Sequence, residues 1–203
     1  DFKKGAEIFG VGTNYDYYLL KNSEKDVNHL TTVETSDGII TTLNINSLSF
    51  IPNGDFEMYQ NLSNGDIKVN IIHSFSSYET RKSWVSKDQL NDFIYPCIYT
   101  ITQKSGITNF FSNRNDNGHF GIPKVIWTNG LGTYPVIDQT GYYGLTQFAY
   151  GITDDIENLE NIKKAMESER FIKMMEYSKF TNNKYDYKII RTFRKDFWKE
   201  FIW

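Results

Sequence analysis

The spacing of apolar residues changes once along these 203 residues, at Asp154, and that change limits the folds open to the chain. Upstream of it, short β-type runs alternate with turns. Ser36-Asp37-Gly38 divides residues 31–35 from 39–45, and Asn64-Gly65-Asp66 precedes 67–72. Asp-Gly and Asn-Gly pairs signal hairpins because they adopt positive φ at small cost. Further strands are predicted over 95–101, 108–112 and 124–127, with a helical stretch around 87–93. Downstream, Ile156, Leu159, Ile162 and Met166 recur at three- or four-residue spacing, which is one face of a helix. Asp154 and Asp155 stand where a cap and first-turn acids stabilise such a helix. Ser168 is placed to cap a second helix carrying Phe171, Ile172, Met174 and Met175. Phe193, Phe197 and Phe201 repeat as the apolar stripe of a last one, and such stripes pack as core. Strands first and helices afterwards predict an α+β chain: a mixed or antiparallel β-rich part, then a helical part over about 154–203. At the start, residues 6–9 and 15–20 read as two strands reversing through Gly10-Val11-Gly12-Thr13-Asn14.

A chain of this length holds one substantial core, or one domain plus an appendage. Its single cysteine, Cys97, excludes an intramolecular disulfide and cannot build a thiolate zinc site alone. The apolar run around it makes a buried small hydrophobe, not a nucleophile. His29, His73 and His119 show no metal-ligand spacing. With no apolar run of membrane length and no signal-peptide pattern, the chain is expected to be soluble and intracellular (cytoplasmic), with no membrane partner. It opens on Asp1 and not Met, so a processed or excised piece is expected.

Formal net charge is −3, which at first sight argues against a polyanionic partner. A binding face is nevertheless a local property. Residues 1–77 carry ten acids against five bases, and 154–169 six against two. Between Glu79 and Lys124 six bases meet four acids, and over 184–199 six meet two. Positive charge is thus concentrated around the motifs that follow.

Residues 113–150 are the most distinctive part of the chain. A polar, glycine-bounded loop carrying Arg114 and His119 feeds a short β-type run, and a second polar and aromatic loop follows about one strand later. Amides and guanidinium groups held on strands suit recognition of a polar partner, since they supply donors and acceptors for base edges or phosphates. Arg81, Lys82, Lys104, Arg114 and Lys124 are candidates for phosphate or base contact. Asn113, Asn115, Asn117 and Gln147 are candidates for adenine edges, because a side-chain amide matches N6 and N7. Tyr142 and Tyr143 can wedge or stack, or one of them can serve the core. His119 either hydrogen-bonds a base or phosphate or locks its loop by bonding a backbone carbonyl, and the flanking glycines favour the lock.

The stretch Asn115-Asp116-Asn117-Gly118-His119-Phe120-Gly121-Ile122-Pro123-Lys124-Val125-Ile126, followed by Asp138-Gln139-Thr140-Gly141-Tyr142-Tyr143-Gly144, resembles part of a known family. It is similar to the C-terminal target-recognition region of adenine-N6 DNA methylases of the type II restriction-modification class, including relatives carried by large DNA viruses. The likeness extends to Ser77-Tyr78-Glu79-Thr80-Arg81-Lys82-Ser83-Trp84 and to Phe193-Arg194-Lys195-Asp196-Phe197-Trp198, and so covers most of the chain. The resemblance implies that residues 1–22 are the trailing hairpin of a methylase catalytic domain and 23–203 the target-recognition domain. It further implies duplex DNA as partner, a methylase catalytic domain in the same or another chain, and S-adenosylmethionine as cofactor of the full-length enzyme.

That chemistry needs a glycine-rich turn after a strand to seat the cofactor, and an Asn/Asp-Pro-Pro-aromatic motif to hold the flipped adenine. The four prolines, Pro52, Pro96, Pro123 and Pro135, include no adjacent pair, and Gly10-Val11-Gly12 alone is too little for the first motif. No cofactor is therefore expected in this chain, nor methyl transfer by it alone. Two rival classes remain. One is a protein-interaction or specificity module docking on a separate methylase or nuclease. The other is a restriction nuclease domain, for which Asp55 with Asp66-Ile67-Lys68 imitates the acid, acid-x-Lys pattern that holds a divalent cation.

Overall fold

A computed structural model describes residues 2–10, 18–22, 24, 26, 28–35, 37–178 and 183–202. The chain divides into two compact units, Asp1–Asn53 and Gly54–Trp203.

In the first unit, Phe2–Phe9 form a helix (α1) where a strand over 6–9 was expected. Lys, Ala and Glu in this stretch are good helix formers, and four residues are too few to show a strand period. Gly10 then ends the helix at φ 69°, its N–H donating to Ala6 O at 3.0 Å. The other half of the expected hairpin lies largely outside the described residues, and Tyr18, Leu19 and Leu20 are exposed without regular structure. The predicted hairpin further on is present. Strands β1 (Thr31–Glu34) and β2 (Ile40–Leu43) pair antiparallel, with Glu34 opposite Ile40 across a turn in which Gly38 takes φ 79°.

The second unit opens with α2 (Phe56–Ser63), which buries Met58, Tyr59 and Leu62. Two four-stranded sheets follow. One has the order β3 (Asn70–Ile72), β10 (Ala149–Thr153), β7 (Lys124–Thr128), β8 (Val136–Asp138), antiparallel throughout. The other runs β4 (Val85–Ser86), β6 (Gly106–Ser112), β5 (Tyr95–Thr102), β9 (Gly144–Leu145), with only β5 and β9 parallel. The architecture is α+β, as the periodicity predicts. Ile98, Ile101, Ile126, Leu145 and Ala149, drawn from both sheets, form one core cluster, and Thr128 Oγ1 accepts a bond from Ile101 N at 3.0 Å inside it.

The helices α3 (Ile156–Glu167) and α4 (Glu169–Tyr177) follow the predicted spacing, and Ser168 caps α4 by accepting from Phe171 N at 3.2 Å. Three expectations fail for identifiable reasons. Residues 87–93 contain no helix, their backbone being turns with mostly exposed side chains. The run 67–72 is strand only from Asn70, because Val69 N and Lys195 N bond Phe193 O and Ile67 O, tying this run to the C-terminal segment. The same ties explain why Phe193, Phe197 and Phe201 do not share one α-helix. That segment instead has a short helix α5 (Tyr187–Ile190), a turn, and a 3-10 helix (Phe197–Glu200). All three phenylalanines are buried, packed around Phe171, so the core role stands while the helix does not. Among the described residues, no helix is long and apolar enough to cross a membrane.

Candidate nucleic-acid interface

The loops at the distal ends of β6, β7 and β8 are built on one buried cation. Lys124 begins β7, opposite Asp138 at the end of β8. Its ammonium donates to Asp138 Oδ2 at 2.8 Å, His119 O at 3.0 Å and Ile122 O at 3.1 Å, which uses all three of its hydrogens. Burial pulls the Lys124 pKa down and the Asp138 carboxylate opposes that fall. The same carboxylate accepts from Tyr142 N at 2.8 Å and Tyr143 N at 3.0 Å, so one ion pair fixes two loops. The loops then meet directly through Gly121 N and Gly141 O at 2.8 Å. Gly141 has φ 71°, and a Cβ there would fall 2.1 Å from Ile122 N.

His119 completes the lock, though not through a backbone carbonyl. Its Nδ1 accepts from Leu145 N at 3.2 Å, which makes the imidazole an acceptor and therefore neutral at that nitrogen. Burial beneath Tyr78, with the Lys124 ammonium nearby, pushes its pKa down to about 4. The thiol of Cys97 is fully buried, as its apolar surroundings predict, and burial pushes its pKa up to about 12.

A third loop, between β3 and β4, is tied onto these two. Tyr78 is fully buried and its hydroxyl accepts from Asn117 N at 3.0 Å. Asn117 Nδ2 and Trp84 Nε1 both donate to Ser77 O, at 2.9 and 3.0 Å. Gln147 brackets Thr80, accepting from its N–H at 3.1 Å and donating to its hydroxyl at 3.0 Å. Asn113 N bonds Trp84 O at 3.1 Å. Residues 77–84 are thereby pinned beside 113–121.

The surface of this assembly carries Arg81, Lys82 and Arg114 against Glu79 and Asp116, a small excess of positive charge. The Arg114 guanidinium lies 4.1 Å from the centre of the Trp84 ring and Lys82 Nζ 5.5 Å from it. Arg81 projects into solvent, paired with Glu79, whose other oxygen lies 4.0 Å from Lys82. Asn113 and Asn115 are exposed alongside Arg114. A shallow cavity of about 460 Å³ lined by Phe75, Glu79, Thr80, Arg81, Tyr99, Gln147 and Phe148 adjoins them.

Of the residues nominated from sequence, Arg81, Lys82, Asn113, Arg114 and Asn115 thus come together as an accessible group. Asn117 and Gln147 belong to the same place but serve as ties, their amides already bonded within the protein. Lys124 is a correction: it is fully buried and its ammonium saturated, so it positions the loops and cannot meet a ligand. His119 is likewise enclosed. Lys104 is exposed in the β5–β6 turn, at the other end of a seven-residue strand and so on the order of 20 Å from Arg114. Tyr142 is exposed on the loop that touches Gly121, whereas Tyr143 is half-buried and packs on the core. Trp84 was missed as a site residue, since nothing in a local spacing shows that an indole will stand under an arginine thirty positions later.

In the second basic stretch three of the six bases are paired with acids. Arg194 pairs with Asp196 and Glu200, Lys195 with Asp154 and Asp155, and Lys199 with Asp196. The acid, acid-x-Lys residues give no assembled centre: Asp55 opens α2, and Lys68 Nζ bonds Ser63 O at 2.6 Å. Among the described residues, no three His, Cys, Asp or Glu side chains group to hold a metal ion. Compared with models of known protein families the chain matches none, and no curated protein matches it.

Proposed function

We propose that this chain is the target-recognition region of an adenine-N6 DNA methyltransferase of a restriction-modification system, gripping duplex DNA and reading a short site. The observation that carries this reading is the cationic group of Arg81, Lys82 and Arg114 around Trp84, with exposed Asn113 and Asn115, on loops locked from beneath by Lys124 and Asp138. Phosphate neutralisation by exposed Lys and Arg supplies affinity, and amide and guanidinium edges supply sequence. Rigid loops favour reading over mere adhesion, because base contacts need donors fixed to within a fraction of an ångström.

The resemblance assigns S-adenosylmethionine and methyl transfer to a catalytic domain in the same or another chain. That placement is supported by Gly10, which closes a helix, whereas a cofactor-seating glycine turn follows a strand. A second reading, docking on a separate methylase or nuclease, is favoured by one observation. In the first unit Tyr18, Leu19, Leu20, Ile39 and Ile40 are all more than half exposed.

Titration of duplex DNA at several salt concentrations separates the two. DNA recognition predicts affinity that falls steeply and linearly in log–log form with salt. Absence of DNA binding at low salt, together with salt-insensitive capture of a methylase domain, would replace the first reading with the second.

A further inference from the structure

We infer that Arg114 reads guanine, and that Trp84 is the positioning residue that presents it; this deepens the DNA-reading function proposed above and rests on it. Three observations converge. First, the guanidinium is held over the indole but left unengaged. It stacks 4.1 Å from the indole centre, and among the described residues it makes no ion pair and donates no side-chain hydrogen bond. Of the other four arginines, Arg81 pairs with Glu79, Arg170 bonds Glu200 O and Arg194 pairs with Asp196 and Glu200, while Arg191, exposed and without such a partner among the described residues, has no ring beneath it.

Second, both stacking partners are anchored from behind. Trp84 Nε1 donates to Ser77 O at 3.0 Å, so the ring cannot turn over without losing that bond. Arg114 N donates to Ser112 Oγ at 3.1 Å, and Asn113 N to Trp84 O at 3.1 Å, so the backbone of each residue is registered on the other. Third, phosphate has another partner close by, because Lys82 approaches the same ring at 5.5 Å as a compact point charge. A planar fork held against a ring and free of other partners matches a pair of coplanar acceptors, and guanine O6 and N7 in the major groove are such a pair. Stacking removes most of the rotamer entropy that a free arginine would lose on binding.

The test begins with selection by the 203-residue chain from duplex DNA randomised over a central segment. Affinities are then measured for the selected site with each guanine replaced in turn by 7-deazaguanine, which lacks N7. The wild-type chain is expected to lose roughly 5- to 150-fold in affinity at one guanine. Arg114→Gln should bind the normal and the 7-deaza duplex equally at that pair while keeping its preferences elsewhere. Trp84→Leu should shrink the same ratio at the same pair, and Trp84→Phe, which retains a ring to stack on, should shrink it less. Arg114 is exposed, so its variants should melt as the parent does. If no guanine is sensitive, or Arg114→Gln weakens all sequences alike, Arg114 meets phosphate and the inference falls while DNA binding stands. If the parent chain binds no duplex at low salt, the function proposed above falls with it.

Discussion

Lys124 and Asp138 stand opposite each other across β7 and β8 and close a 2.8 Å ion pair with essentially no exposure to solvent. Such a pair adds little net stability over an apolar replacement, because desolvation offsets the attraction, but removing one partner strands the other. Lys124→Met should therefore destabilise the second unit by about 3–5 kcal/mol, read as a fall in the denaturant midpoint with unchanged slope. His119 O and Ile122 O would also lose their donor. A loss under about 1 kcal/mol would mean that water reaches Asp138 and that the pair does not organise the loops.

Acid should loosen the same assembly. His119 has a folded pKa near 4, below its unfolded value, so the unfolded chain binds more protons between those limits. Stability is then complete above about pH 6.5 and is lost as pH falls towards 4, by up to about 3 kcal/mol. The pKa of His73 is also lowered, by burial first, and adds to the slope in the same direction. The lowered Asp196 acts only at more acid pH. Subtracting the pH–stability curve of His119→Gln isolates the first contribution. Parallel curves for parent and variant between pH 7 and 4.5 would show that the imidazole ionises freely.

Two glycines in neighbouring loops, alike in φ, should respond differently to a methyl group. Gly118 has φ 78° with open space around it, so Gly118→Ala should cost only the strain of the left-handed backbone, about 1–2 kcal/mol. Gly141 has φ 71°, and its Cβ would overlap the Ile122 backbone at 2.1 Å. Gly141→Ala should cost clearly more, since it must also part the loops joined through Gly121 N and Gly141 O. Thermal melting of the two variants side by side decides; equal losses would mean that the loops separate without penalty.

The contrast between these elements shows what was legible in the sequence. Ile156, Leu159, Ile162 and Met166 reveal α3 because a helix face is written in residues three and four apart. The hairpin at Gly38 is legible for a similar local reason. Lys124 reads as a ligand contact because a lysine beside a glycine-rich polar loop is ordinarily solvated, and its partner Asp138 lies a strand away. Asn117 and Gln147 read as base-edge readers for the same reason, yet their amides bond Ser77 and Thr80, far off in sequence. Local spacing reports which residues are polar. Which of them remain free is decided by strand register and loop closure, and register is long-range.

The distribution of committed and uncommitted cations leads to the last prediction. In log–log plots of DNA affinity against salt, Lys82→Gln and Arg114→Gln should each lower the slope by up to about one unit, as expected for a cation meeting phosphate or lying close to it. Arg81→Gln should do the same, because its side chain is largely exposed beside the mostly buried Glu79 and a phosphate can compete for it. Lys104→Gln, at the far end of the β5–β6 hairpin, should leave the slope unchanged. So should the double change Arg194→Gln and Lys195→Gln, since Arg194, Lys195 and Lys199 face Asp154, Asp155, Asp196 and Glu200 and that patch carries no excess positive charge. If the C-terminal pair flattens the slope while Lys82 and Arg114 do not, the duplex lies against the C-terminal segment, and the loops around Trp84 are not the interface.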